Sequence, residues 1–138
     1  MYTLLYRQQH AMIRRQAKAL IEGVHGEKGA SELRVALSRL AGTIVIHFTT
    51  EEESLYPRLQ RSGDSAVCAT ASRFESSLGS LMRSFSSFFE TWKPYGAIER
   101  DRGRFAAEAR HVLEGLTSRL DAEDEQLYVL VDQLPAAS

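Results

Sequence analysis

One cysteine, three prolines and a single tryptophan are all that these 138 residues carry of those types. With Cys68 alone, no internal disulfide can form and no thiolate cluster can bind zinc. A reducing cytoplasm is therefore the expected location. No apolar run approaches the roughly 20 residues that a membrane span needs. The short apolar patch from Leu4 to Tyr6 is closed by Arg7, so a soluble, unprocessed chain without membrane association is expected. An excess of one charge is missing too. The formal net charge is -1, with acidic and basic residues in near balance, which leaves no field to attract nucleic acid or an anionic bilayer. Motifs of common catalysis are absent: no H-E-x-x-H, no Gly-rich phosphate loop, no nucleophile elbow. The Glu-x-x-His pairs of ferritin-like di-iron proteins are absent as well. On these grounds the chain is not expected to be an enzyme.

Its length suits one domain, 1–138, with enough residues to bury a core without staples. Gly and Pro punctuation near Gly23 to Gly29, Ser62 to Ser65 and Pro94 to Gly96 divides the chain into four helical stretches. Short connections imply antiparallel neighbours, so the expected fold is all-α, an up-down-up-down antiparallel four-helix bundle.

Steps of three and four pick out one apolar seam per helix. The first reads Tyr6, His10, Ile13, Ala17, Leu20, Val24, and the second Leu33, Leu37, Leu40, Ile44, His47, Glu51, Leu55. The fourth reads Phe105, Ala109, Val112, Leu116, Arg119, Glu123, Leu127, Leu130, Leu134. Polar groups interrupt each of these three. The third, Val67, Ala71, Phe74, Leu78, Leu81, Phe85, Phe88, Trp92, has no polar interruption and contributes core only. A repeat links two of the interruptions. The segment from His47 to Pro57 has a degraded copy from Arg119 to Val129, and in each a long polar side chain stands one helical turn before a carboxylate. Counted from the turns, His10, His47, Glu51, Arg119 and Glu123 fall at one level of the bundle, facing Phe74 and Leu78. Carboxylates buried there need a cation, either a metal ion or a basic side chain.

These residues resemble the hemerythrin-like, or HHE cation-binding, family. Its pattern is a His on the first helix, His-x3-Glu on the second, His on the third and His-x3-Glu on the fourth. His47 through Pro57 carries the strongest match, His10 fits the first-helix position, and Glu123 with Leu127 and Tyr128 fits the fourth. The resemblance implies a bundle holding a non-haem di-iron centre used for oxygen binding, redox or nitric oxide responses, or iron sensing. Two departures reduce that expectation. The third helix has no histidine, its positions being nearest Phe74 or Leu78, and Arg119 replaces the histidine of the fourth. The metal ligands that remain are His10, His47, Glu51 and Glu123, enough for a mononuclear or incomplete di-iron site. Arg119 cannot coordinate a metal but suits a carboxylate. It is expected to substitute for the metal by a bidentate ion pair with Glu51 or Glu123, with Phe74 and Leu78 as the apolar wall. The expected function is thus metal binding, iron being the implied ion, used in sensing or regulation rather than oxygen transport. The alternative is a metal-free interaction or regulatory module.

Other residues receive plainer readings. Glu52, Glu53, Asp124 and Glu125 read as a solvated face, and Tyr56 and Tyr128 as core. Pro57 is expected to bend or end the second helix. His111 is expected to flank the core, His25 to be exposed, and Cys68 to be a small half-buried residue. Glu75 points away from the seam unless the register is off by one, in which case it becomes a fifth ligand. Seven serines beside the aromatic seam of the third helix mark it as the face for a protein partner or homodimer, with Phe85, Phe88, Phe89 and Trp92 as anchors.

Overall fold

The computed structural model describes residues 2–135, which form α-helices with short connections. Helix α1 is Leu4–His25 and α2 is Ala30–Thr50, which runs on through a π-helical turn, Glu51–Leu55, into Tyr56–Gln60. Helix α3 is Ser65–Trp92, followed by the single turn α4, Ala97–Arg100. Helix α5, Arg102–Ala122, runs through a second π-helical turn, Glu123–Leu127, into Tyr128–Gln133. The four long rods form the hemerythrin-like antiparallel bundle expected of the sequence. Helix α1 lies against α2 and α5, and α3 lies against α5 and the end of α2.

Polar residues set where the helices begin and end. Asp64 caps α3 by accepting from the amides of Ala66 and Val67 at 2.9 and 3.2 Å, and Asp101 caps α5 through the Arg104 amide at 3.2 Å. At the end of α1, Arg102 donates to the carbonyls of Gly23 and Val24, both at 3.1 Å. A guanidinium there satisfies orphan carbonyls and complements the negative end of the helix. Gly96 takes the left-handed conformation, φ 81°, that turns the chain from α3 into α4.

The seam of α1 is buried along its whole length, as is that of α2 down to Leu55. In α3, Leu81 is only half-buried, and Phe85, Phe88 and Trp92 lie in the core. Those three rings are therefore not anchors for a partner. They are occupied by the bundle itself, with Trp92 and Phe88 packed on Phe105 at 5.3 and 5.8 Å between ring centroids. In α5 the core side chain is Leu113 rather than its half-buried neighbour Val112.

Beyond Glu123 the pattern departs further from a regular helix. Tyr128 and Val131 are buried while Leu130 and Leu134 are only half-buried. The π turn is the cause. The Tyr128 amide bonds five residues back to the Glu123 carbonyl, so one residue more than an α-turn holds is accommodated and the face shifts downstream. The same widening follows Glu51, where the Tyr56 amide reaches the Glu51 carbonyl. Pro57 sits inside the helical stretch after the first π turn instead of ending it. Since Val129 takes the equivalent place in the second copy, proline is not what makes the turn.

Two glycine substitutions test this frame in opposite senses. Gly96→Ala, at positive φ, is expected to cost about 1–2 kcal/mol. Gly115→Ala, within α5 and with open space at the new Cβ, is expected to add about 0.5–1 kcal/mol. Urea denaturation of each variant checks both signs.

Candidate metal centre

His10 comes from the second turn of α1, His47 from the last turn of α2, and Glu51 and Glu123 from the first positions of the two π turns. All four side chains are fully buried. One ligand atom from each lies within 4.8 Å of the others. The seam interruptions thus converge on one point.

Both imidazoles are oriented from behind. His10 Nδ1 meets Asp124 Oδ1 at 2.9 Å, and His47 Nδ1 meets Gln9 Oε1 at 2.7 Å. A carboxylate oxygen only accepts, so His10 carries its proton on Nδ1, and the Gln9 carbonyl asks the same of His47. The two Nε2 lone pairs then face each other across 3.0 Å. They also face Glu123 Oε1, at 2.8 Å from His10 and 3.2 Å from His47. Three acceptors this close need a cation among them, a metal ion or, in its absence, a proton. Asp124 is held in turn by Arg14 at 2.8 Å. It is not the solvated residue expected of its position.

Glu123 faces two ways. Its Oε2 accepts from Arg119 Nε at 3.0 Å. The remaining guanidinium nitrogens turn to α3 and α2: Nη1 donates to the Phe74 carbonyl at 2.8 Å and Ser77 Oγ at 2.7 Å, and Nη2 to the Tyr56 hydroxyl at 2.6 Å. The ion pair is therefore single-pronged rather than bidentate, because the other donors are engaged elsewhere. The Phe74 ring lies 4.9 Å from the guanidinium carbon and forms the apolar wall on this side. Leu78, one turn further along α3, is buried in the core.

Both tyrosines of the repeat belong to the centre. Tyr56 receives Arg119. Tyr128 donates to Glu51 Oε2, and its hydroxyl oxygen lies 2.9 Å from His10 Nε2 and 3.1 Å from Glu123 Oε1. Both rings lie in the core as the sequence pattern expects, and the polar role of their hydroxyls is what that pattern does not show. The usable signal was their place in the repeat, since each follows a seam carboxylate by the same spacing. Glu75 and His111 are exposed, so neither is a ligand and His111 does not flank the core. His25 is exposed beside Arg110, and Cys68 is half-buried with its thiol on the Gln60 carbonyl at 3.5 Å.

Burial pushes the Glu51 carboxyl well above its ordinary value, and the neighbouring Glu123 charge adds to the shift. Burial opposes ionisation of Glu123 as well, but its contacts with His10 and His47 and the Arg119 charge outweigh it and hold this carboxyl well below the usual range. Burial lowers His47, against the pull of Glu123. Glu51 Oε1 is buried without any partner. An orphaned carboxylate oxygen beside two inward imidazole lone pairs fits a metal ion, and the N/O donor set suits a first-row ion such as iron, manganese or zinc.

The sequence of residues 3–131 matches the model of the hemerythrin HHE cation binding domain. The chain belongs to this family. No curated protein and no solved structure shows significant similarity to it. As a member of the hemerythrin family it carries a buried His and Glu group able to hold a cation, together with an arginine beside that group.

Arg119→Met is expected to leave Glu123 short of its countercharge and to cost roughly 3–5 kcal/mol in metal-free buffer. Unchanged chemical denaturation would contradict the role given to Arg119. Glu51 supplies a pH test. Folded Glu51 keeps its proton to higher pH than the unfolded chain, whose value is 4.5, so above that value the metal-free protein loses stability as pH rises. Glu51→Gln escapes this loss. In chelator its advantage over wild type is expected to widen with pH by up to about 1.4 kcal/mol per unit, and urea curves at acid and alkaline pH measure the gap.

Proposed function

We propose that this hemerythrin-family domain holds one metal ion, iron being the family's expectation, with Arg119 in place of a second. His10, His47 and Glu123 Oε1 would hold the ion, with Glu51 completing the set. A bound ion would supply redox or small-molecule binding chemistry. The observation that carries the reading is the division of Glu123, which offers one oxygen to the imidazole pair and the other to a guanidinium. Asp124 and Gln9 fix the ring tautomers and keep the lone pairs inward. We further propose a role in sensing or regulation rather than catalysis or oxygen transport. Supporting this, the four ligand side chains are closed off from solvent, an arrangement suited to an ion or a small molecule more than to a bulky substrate.

A second reading has its own support. Arg119 neutralises Glu123 without a metal, and Glu51 keeps its proton, so the same bundle can serve as a metal-free regulatory module. Elemental analysis separates the two. Protein purified without chelator and loaded anaerobically with iron(II) is expected to hold one ion per chain, lost in His47→Ala. Asp124→Asn is expected to weaken metal affinity by about 10–100-fold, measured by competition with a chelator. A folded protein without any bound metal contradicts the single-ion reading.

A further inference from the structure

The outward face of α1 and α2 carries large apolar side chains that the rest of the bundle leaves uncovered. Ile46 is 62% exposed, Leu5 54%, Val45 51% and Met12 45%. They share one face because the two helices lie side by side in a fixed register, with His47 Nδ1 on Gln9 Oε1 at 2.7 Å and the Thr43 hydroxyl 4.0 Å from the Met12 sulfur. Leu5 and Met12 stand two turns apart on one stripe of α1, and Ile46 of α2 lies at a level between them. From Leu40 to Thr50 the only ionisable side chain is the buried His47. In a chain with 25% charged residues, an exposed stretch so free of charge marks a contact surface.

Charge brackets this patch in opposite senses. Arg39 precedes Ile46 by two turns and Glu53 follows it by two, each about 10 Å away along the helix. Glu53 belongs to the first π turn, whose slower winding keeps it on the side of Val45 and Ile46. Both side chains are exposed, and neither makes an ion pair among the described residues. A face with a cation at one end and an anion at the other complements its own copy turned end for end. We infer that this face is the interface of a symmetric dimer, in which α2 packs antiparallel on α2 of a second copy about a two-fold axis beside Ile46, and Arg39 of each copy meets Glu53 of the other. The apolar centre supplies the affinity, and the two outer ion pairs set the register, since exposed pairs contribute little free energy by themselves. Gly42, one turn before Ile46, has open space where a Cβ would stand, so the two backbones can approach closely there. Gln9, which holds the back of His47, is half-buried on this face and is covered by the second copy. The dimer does not depend on metal binding, because none of the four candidate ligands takes part in the contact.

Sedimentation equilibrium of the full chain through the micromolar range is the test. Wild type is expected to dimerise, and Ile46→Glu to raise the dissociation constant at least about 30-fold. Ile46 is exposed, so circular dichroism and urea unfolding of that variant should match wild type. Arg39→Glu and Glu53→Arg each set like charges against one another at both ends of the interface, and each is expected to weaken the dimer about tenfold. Combining the two restores opposite charges and is expected to restore the wild-type dissociation constant. A wild type that stays monomeric overturns the inference and leaves the face for a different protein. A dimer untouched by Ile46→Glu overturns it too, and so does a double variant that dimerises no better than either single one.

Discussion

A carboxylate buried out of reach of water must be matched by positive charge, and Glu123 is that carboxylate here. Much of the centre follows from how the match is made. One oxygen takes the Arg119 Nε hydrogen, and the other joins two imidazole nitrogens. The guanidinium can hold its place only because the Phe74 carbonyl, Ser77 and Tyr56 take up its remaining donors. Helix α3, which brings no ligand, contributes through that carbonyl and through the aromatic side chains that fill the rest of the bundle.

The repeat explains why the two halves look alike and act differently. His47, Glu51 and Tyr56 correspond to Arg119, Glu123 and Tyr128, and each copy bends through a π turn at its carboxylate. In one half a tyrosine receives a guanidinium; in the other a tyrosine donates into a cluster of imidazole and carboxylate. Where the first copy has a histidine, the second has an arginine, which offers a fixed positive charge and no lone pair. The buried Glu123 carboxylate thereby has a cation beside it in the guanidinium.

Much of this was legible in the chain. His10, His47, Glu51 and Glu123 stood out because ionisable groups on an apolar seam are costly, and the structure brings all four together. The four rods followed from the Gly and Pro breaks. What could not be read was anything depending on the π turns. A period of 3.6 carried past Glu123 selects Leu130 and Leu134, whereas the widened turn delivers Tyr128 and Val131. Asp124 and Gln9 escaped for a related reason. Each is adjacent to a seam residue and off the seam on its own helix, and each reaches the back of an imidazole only because two helices lie side by side. Contacts of that kind depend on the pairing of helices, which a single-helix pattern does not contain.

The most direct test of a single-ion centre completed by arginine is a crystal structure of the iron-loaded protein with anomalous scattering recorded at the iron edge. The account predicts one peak among His10, His47 and Glu123, with the Arg119 guanidinium still on Glu123 Oε2. Two peaks, with Arg119 displaced, would contradict it, as would no peak in crystals whose solution sample carries iron.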